Sequence, residues 1–161
     1  MSKIYFNERP EGLTSWCLIP GSFNPVHEGH LAIGLYCKTL NIEPIYEISL
    51  PNCDKPDITL EEGKKRARQF TKFGFSVIID ELPYFTEKWT YLKPSYIAVG
   101  ADTWNRFVSI QTYKGDSELQ THTFRSCRTH FLVFPRPSYI PAVVDNKVLS
   151  YTYVAGFKQI D

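Results

Sequence analysis

Charge of one dominant sign is absent: 18 Lys and Arg stand against 17 Asp and Glu, a formal net charge of +1. Near-neutrality excludes the broad basic footprint that binds bulk nucleic acid or an anionic membrane, so any positive site must be local. Paired cysteines are also missing. Cys17, Cys37, Cys53 and Cys127 are scattered and form no Cys-x-x-Cys pair, which removes the common zinc frameworks and points to a reducing compartment. No apolar run is long enough to span a bilayer, and no secretory leader, repeat or low-complexity tract is found. The expectation is a soluble, cytoplasmic protein with no nucleic acid and no membrane among its partners. What is abundant is core material. With 43% hydrophobic and 15% aromatic residues in 161, the chain can fold as one domain, spanning 1–161, and is too short for two ordinary ones. Residues 1–15 read as a flanking arm, in which Ile4-Tyr5-Phe6 is either a flanking strand or a packed arm, and 138–161 as a C-terminal extension.

The most informative stretch is Gly21-Ser22-Phe23-Asn24-Pro25-Val26-His27-Glu28-Gly29-His30. Before it, Trp16 to Pro20 reads as a short buried strand; after it, Leu31 to Leu40 reads as a mostly buried helix. The polar residues therefore occupy a strand-to-helix turn. Gly21 permits a tight bend or close approach of a ligand. Asn24 suits the helix cap and Pro25 its first turn. His27 and His30, three apart, share a helix face beside unpaired N–H groups and the positive end of the dipole, where a phosphate chain fits. Gly29 between them removes a side chain that would block a triphosphate. The ordinary alternative for two such histidines is a polar helix start. Metal ligation is disfavoured because two histidines at this spacing need further ligands.

With its Gly, Phe, Pro, His, Gly and His each in place, this stretch resembles the H-x-G-H signature of the nucleotidyltransferase superfamily, which includes nicotinamide and nicotinate mononucleotide adenylyltransferases and small cytidylyltransferases. Asn52-Cys53-Asp54-Lys55-Pro56, Arg66 with Gln69-Phe70, Gly100-Ala101-Asp102-Thr103 and Phe131 to Arg136 are similar to later segments of a cytidylyltransferase-like branch. The likeness covers roughly residues 16 to 136. It implies catalytic His27 and His30, with Gly21, Ser22, Phe23 and Gly29 at the nucleotide. It also implies that Gly100 and Asp102 lie against that nucleotide, and that Mg²⁺ arrives on the triphosphate, with no metal ligands from the chain. The partners implied are a nucleoside triphosphate and a phosphorylated small-molecule acceptor; a homo-oligomer is left open. One family feature is missing. Many members carry a Ser/Thr-rich segment ending in arginine that holds the β- and γ-phosphates, whereas Ser150-Tyr151-Thr152-Tyr153-Val154 has hydroxyls and no arginine after them.

The rest of the chain alternates strand and helix. Ile45 to Leu50 is a second strand, and Lys55 in the turn-rich loop after it is either a phosphate contact or a solvated lysine. Thr59 to Glu62 has capping-box spacing. Leu60, Ala67, Phe70 and Phe73 make an apolar stripe that stops at Gly74. In that helix Lys64, Lys65 and Arg68 read as a solvated face, and Arg66 as structural or supporting. Val77 to Asp80 and Tyr96 to Val99 are further strands, the latter opening on Gly100. Asp102 either accepts a bond from ribose or base or caps a helix starting at Thr103 or Trp104. Trp104 is read as a ring that stacks on an aromatic acceptor or is buried in the second layer. Glu118 to Arg128 reads as a short helix. Phe131 to Phe134, the last strand, delivers Arg136 as a triphosphate ligand or a surface ion pair. This predicts an α/β fold, one Rossmann-like doubly wound domain with a parallel sheet of about five strands.

Overall fold

The computed structural model describes residues 5–6, 15–51, 56–109 and 123–157. Its centre is β2 (Trp16–Pro20), preceded by a short β1 (Tyr5–Phe6) and followed by α1 (Glu28–Thr39) and β3 (Glu43–Ser49). Next come α2 (Leu60–Ala67), a 3₁₀ turn Arg68–Phe73, and β4 (Ser76–Asp80). A short α3 (Phe85–Glu87) runs into a π-helical turn, Lys88–Leu92, before β5 (Tyr96–Gly100) and α4 (Ala101–Val108). The described chain ends with β6 (His130–Phe134) and β7 (Tyr151–Tyr153).

The strands form one sheet in the order β1-β4-β3-β2-β5-β6-β7. From β4 to β7 all neighbours are parallel, and only β1 runs antiparallel on the outer edge of β4. This is a doubly wound α/β fold, and its direction of winding reverses between β2 and β5. The five expected strands are its middle. Two edge strands come from the segments read as arm and extension: Tyr5 and Phe6 pair with Ile79 and Ile78, and Tyr151 to Tyr153 pair with Phe131 to Val133.

Alternation along the buried strands explains the two layers. Cys17, Ile19, Tyr46, Ile48, Val77 and Ile79 face α1 and α2. Leu18, Ile45, Ile78, Ile97 and Val99 face Trp89, Trp104 and Phe107. The second helix begins as its spacing predicts, with the Thr59 hydroxyl accepting from Glu62 N–H, and the 3₁₀ turn stops at Gly74 in the left-handed region, φ 73°. The helix expected over Glu118 to Arg128 falls largely outside the described residues; 123–125 are helical.

A charged cluster is buried in the second layer. Lys88 Nζ lies 2.7 Å from Glu47 Oε1, and both side chains are almost wholly enclosed. The ammonium also donates to the Leu82 carbonyl at 2.6 Å, tying the turn that follows β4 onto the sheet. Beside it, burial and then a hydrogen bond and the charge of Glu47 push the Asp80 carboxyl up to about 9, so that it holds its proton at neutral pH.

Candidate functional site

The winding reversal places the loop after β2 and the loop after β5 at one sheet edge, where open α/β sheets bind ligands. The first loop leaves β2 with Gly21 N–H donating to the Glu47 carbonyl at 3.1 Å. A Cβ on Gly21 would sit 2.7 Å from the Phe23 ring. Gly21 is therefore needed to let that ring fold back under the loop. The Phe23 side chain corrects one part of the expectation: it is 2% exposed and buried beneath the loop. Its ring meets His30, Tyr46 and Phe70 edge-on, with centroids 4.9, 5.4 and 5.0 Å apart, and so props His30 from below. The Ser22 carbonyl accepts from Arg66 Nη1 at 3.3 Å.

The cap of α1 is the second correction. Neither Asn24 nor Pro25 belongs to the helix start; the cap is His27, whose extended backbone (φ −130°, ψ 174°) lets its ring reach over the first turn. His30 N–H donates to His27 Nδ1 at 3.3 Å, and His27 N–H donates to His30 Nδ1 at 3.1 Å. The rings stack at 3.5 Å with 18° between their planes. Two backbone N–H groups expected to meet a phosphate are thus spent on the histidines. The first-turn amides of Glu28 and of the buried Gly29 remain as helix N-terminal donors. The arrangement also sets the tautomers. An Nδ1 that accepts a hydrogen bond carries no proton, so each neutral ring bears its hydrogen on Nε2 and presents it as a donor. Burial, then the neighbouring His27, then the charge of Arg136 push the His30 imidazole down to about 4, which keeps it neutral at physiological pH. The Tyr46 hydroxyl, donating to the His30 carbonyl at 2.6 Å, fixes the same turn from the core.

β6 runs parallel beside β5, so the loop after it, which carries Arg136, opens at the same sheet edge. Arg136 Nε also lies 3.6 Å from Asp102 Oδ1. That oxygen is enclosed and has no hydrogen-bond partner. Gly100, Asp102, Arg136, His27 and His30 all lie at or beyond the C-terminal ends of the parallel strands β2, β5 and β6, on one sheet edge. Gly100 is the α4 cap, and a Cβ there would fall 2.5 Å from Arg136 Nε and 2.7 Å from Asp102 Oδ1. Asp102 lies in the first turn of α4 and does not cap it.

Trp104 resolves to its buried alternative. It is fully enclosed, its Nε1–H donates to the Ala142 carbonyl at 2.9 Å, and it packs against Phe131 and Tyr151. Lys55 lies outside the described residues. Among the described residues no group of three or more His, Cys, Asp or Glu is placed to hold a metal ion, and no helix is long and apolar enough to cross a membrane.

Two side chains near the histidines have no local sequence signal, and a third has only its place in a resembling segment. Tyr46 acts from the neighbouring strand, and Gln69, marked in sequence only beside Arg66 and Phe70, acts from the 3₁₀ turn after α2. Lys72 lines a hollow of about 290 Å³ on the outer side of His27, together with Val26, Glu28, Leu31 and Phe73. No protein-family model matches the chain, and no curated protein matches it.

Proposed function

We propose that this chain is a nucleotidyltransferase: it moves a nucleoside monophosphate from a nucleoside triphosphate to a phosphorylated small molecule and releases pyrophosphate. The observation that carries the reading is the pair of stacked, reciprocally capped imidazoles, His27 and His30, whose Nε2–H donors stand side by side at a helix N-terminus. An acceptor phosphate oxygen attacks the α-phosphorus in line; the bond from that phosphorus to the bridging oxygen breaks, and pyrophosphate leaves with the electron pair. Charge develops on the equatorial and bridging oxygens. Preorientated donors aimed there stabilise the transition state without reorganising. An acceptor already ionised needs no general base, which agrees with a His30 imidazole held neutral and its Nδ1 occupied.

Arg136 supplies the fixed positive charge for the phosphate chain, and the Asp102 carboxylate, whose enclosed Oδ1 lies 3.6 Å from Arg136 Nε, orients that guanidinium. With no group of three or more metal-ligating side chains among the described residues, a divalent cation here would be carried by the phosphates, as suits Mg²⁺, which fills its shell with phosphate and water. When bound, Mg²⁺ would neutralise charge on the leaving pyrophosphate. The favoured pair is ATP with nicotinamide or nicotinate mononucleotide, placing the protein in cytoplasmic NAD synthesis. Cytidylyl transfer from CTP to a phosphorylated alcohol is the alternative within the same chemistry.

A second reading is a nucleotide-binding protein without turnover. It is favoured by β7, whose hydroxyls lead into Val154 and Ala155 with no arginine following. Both readings meet the same test, pyrophosphate release from ATP or CTP crossed with nicotinamide mononucleotide, nicotinate mononucleotide, phosphopantetheine and glycerol 3-phosphate. Turnover with one pair, abolished in His30→Ala, supports the enzyme. A chain that binds nucleotide with no release on any pair overturns it in favour of the second reading.

A further inference from the structure

The loop that carries the histidines is gripped from outside by one face of the α2 helix and its 3₁₀ extension. Arg66, Gln69 and Phe70, spaced three and four residues apart, share that face. Arg66 reaches the Ser22 carbonyl while its Nε pairs with Glu62 at 3.0 Å. Phe70 meets the Phe23 ring. Gln69 does more: its Oε1 accepts from Val26 N–H at 2.9 Å, and its Nε2 donates to the Phe23 carbonyl at 2.8 Å and the Arg66 carbonyl at 2.9 Å. None of these contacts occupies the Nε2 atoms of the two histidines.

We propose that Gln69 is the positioning residue of the histidine pair. Val26 immediately precedes the cap residue His27, and the Phe23 ring supports His30, so both ends of the loop segment that sets the entry into α1 are fixed by one side chain. Only a primary amide can do this. It offers an acceptor and donors on one planar group, whereas a carboxylate lacks the donor and a hydrocarbon leaves both backbone groups unpaired. Removing the amide frees the Val26–His27 junction to rotate, which loosens both Nδ1 caps and with them the Nε2–H tautomers. The catalytic consequence rests on the function proposed above; the tautomer consequence does not.

The test uses the full-length, ¹⁵N-labelled protein at pH 7.5, where a chain with four histidines gives a simple imidazole spectrum. Wild type is expected to show the Nε2–H tautomer at His27 and His30. Gln69→Ala moves at least one of them to a tautomer mixture and lowers kcat roughly 10- to 100-fold with the nucleotide KM little changed, as a small misplacement of reacting groups does. Gln69→Glu keeps the acceptor for Val26 N–H and falls between the two; it carries the test if the alanine variant does not fold by circular dichroism. Ring signals identical to wild type in the folded variants would overturn the positioning role. A changed tautomer in a chain that turns over no pair leaves that role standing and refutes the proposed reaction, so the two failures are distinct.

Discussion

His27 and His30 cap each other: each Nδ1 accepts the other residue's backbone N–H, and the two rings lie 3.5 Å apart. One side chain thus has both a structural and a chemical task, and substitutions can separate them. His27→Asn keeps a good capping oxygen and removes the ring, whereas His27→Ala removes both. The expected outcome is a near-wild-type unfolding midpoint for His27→Asn and a loss of about 1 kcal/mol for His27→Ala. Pyrophosphate release should fall on the order of 10²–10³-fold in each. Urea titration and initial rates measure the two effects independently.

Acid should weaken the fold through His30. Its imidazole is held down to about 4 in the native state, against 6.5 when free. Between those values the unfolded chain binds a proton that the folded chain refuses, so this contribution is whole above 6.5 and is lost as pH falls through 4. Protonation of Nδ1 would also break the cap on His27 N–H. Denaturant midpoints at pH 7, 5.5 and 4.5 should decline in wild type and decline less in His30→Gln.

Asp80 acts with the opposite sign. Its carboxyl is raised from 3.8 to about 9, so the folded chain keeps a proton that the unfolded chain releases across that interval. The stabilisation is full below 3.8 and is lost as pH rises to 9. Asp80→Asn, neutral at every pH and similar in shape, should flatten the alkaline limb of the stability profile between pH 7 and 9. An unchanged limb would mean that the Glu47–Lys88 pair does not share its enclosure with a protonated partner.

Gly100→Ala should spare the fold and injure the site. Gly100 has ordinary φ and ψ of −76° and 160°, so alanine fits the backbone. Its Cβ would collide with Arg136 Nε and Asp102 Oδ1, and the arginine side chain can swing away. Loss of one charge-assisted contact predicts nucleotide affinity weaker by about 10- to 100-fold, read by calorimetry, with a nearly unchanged melting temperature.

Trp104→Phe tests burial against stacking. The substitution orphans the Ala142 carbonyl and leaves a small void, a destabilisation of about 1–3 kcal/mol. The KM for a phosphorylated acceptor should not move, because the ring faces Phe131 and Tyr151. A raised acceptor KM in a protein of wild-type stability would return Trp104 to the cleft.

Sequence alone determined the element types, because they depend on local pattern. Apolar runs of strand length, the Thr59 cap, the Gly74 stop and the strand-to-helix turn at Gly21 to His30 are each encoded within a few residues, and alternating them implies a parallel, doubly wound sheet. The positions of Asp102 and Arg136 just beyond buried strands were legible for the same reason. Tertiary structure alone decided what those positions touch. Asn24 has the chemistry of a cap, yet His27 takes the cap, because Phe23 turns the chain at φ 48° and Gln69 holds Val26 from 43 residues away. Trp104 could have faced cleft or core; α4 begins at Ala101, and that helical phase turns the indole inward to an acceptor 38 residues on. The edge strands Tyr5–Phe6 and Tyr151–Tyr153 are too short to show a period of two, and only the open edges of β4 and β6 give them a partner. Periodicity and capping are short-range effects written into neighbouring residues, whereas the direction of a side chain and the partner of a carbonyl follow from packing between segments that meet only when the sheet closes its order.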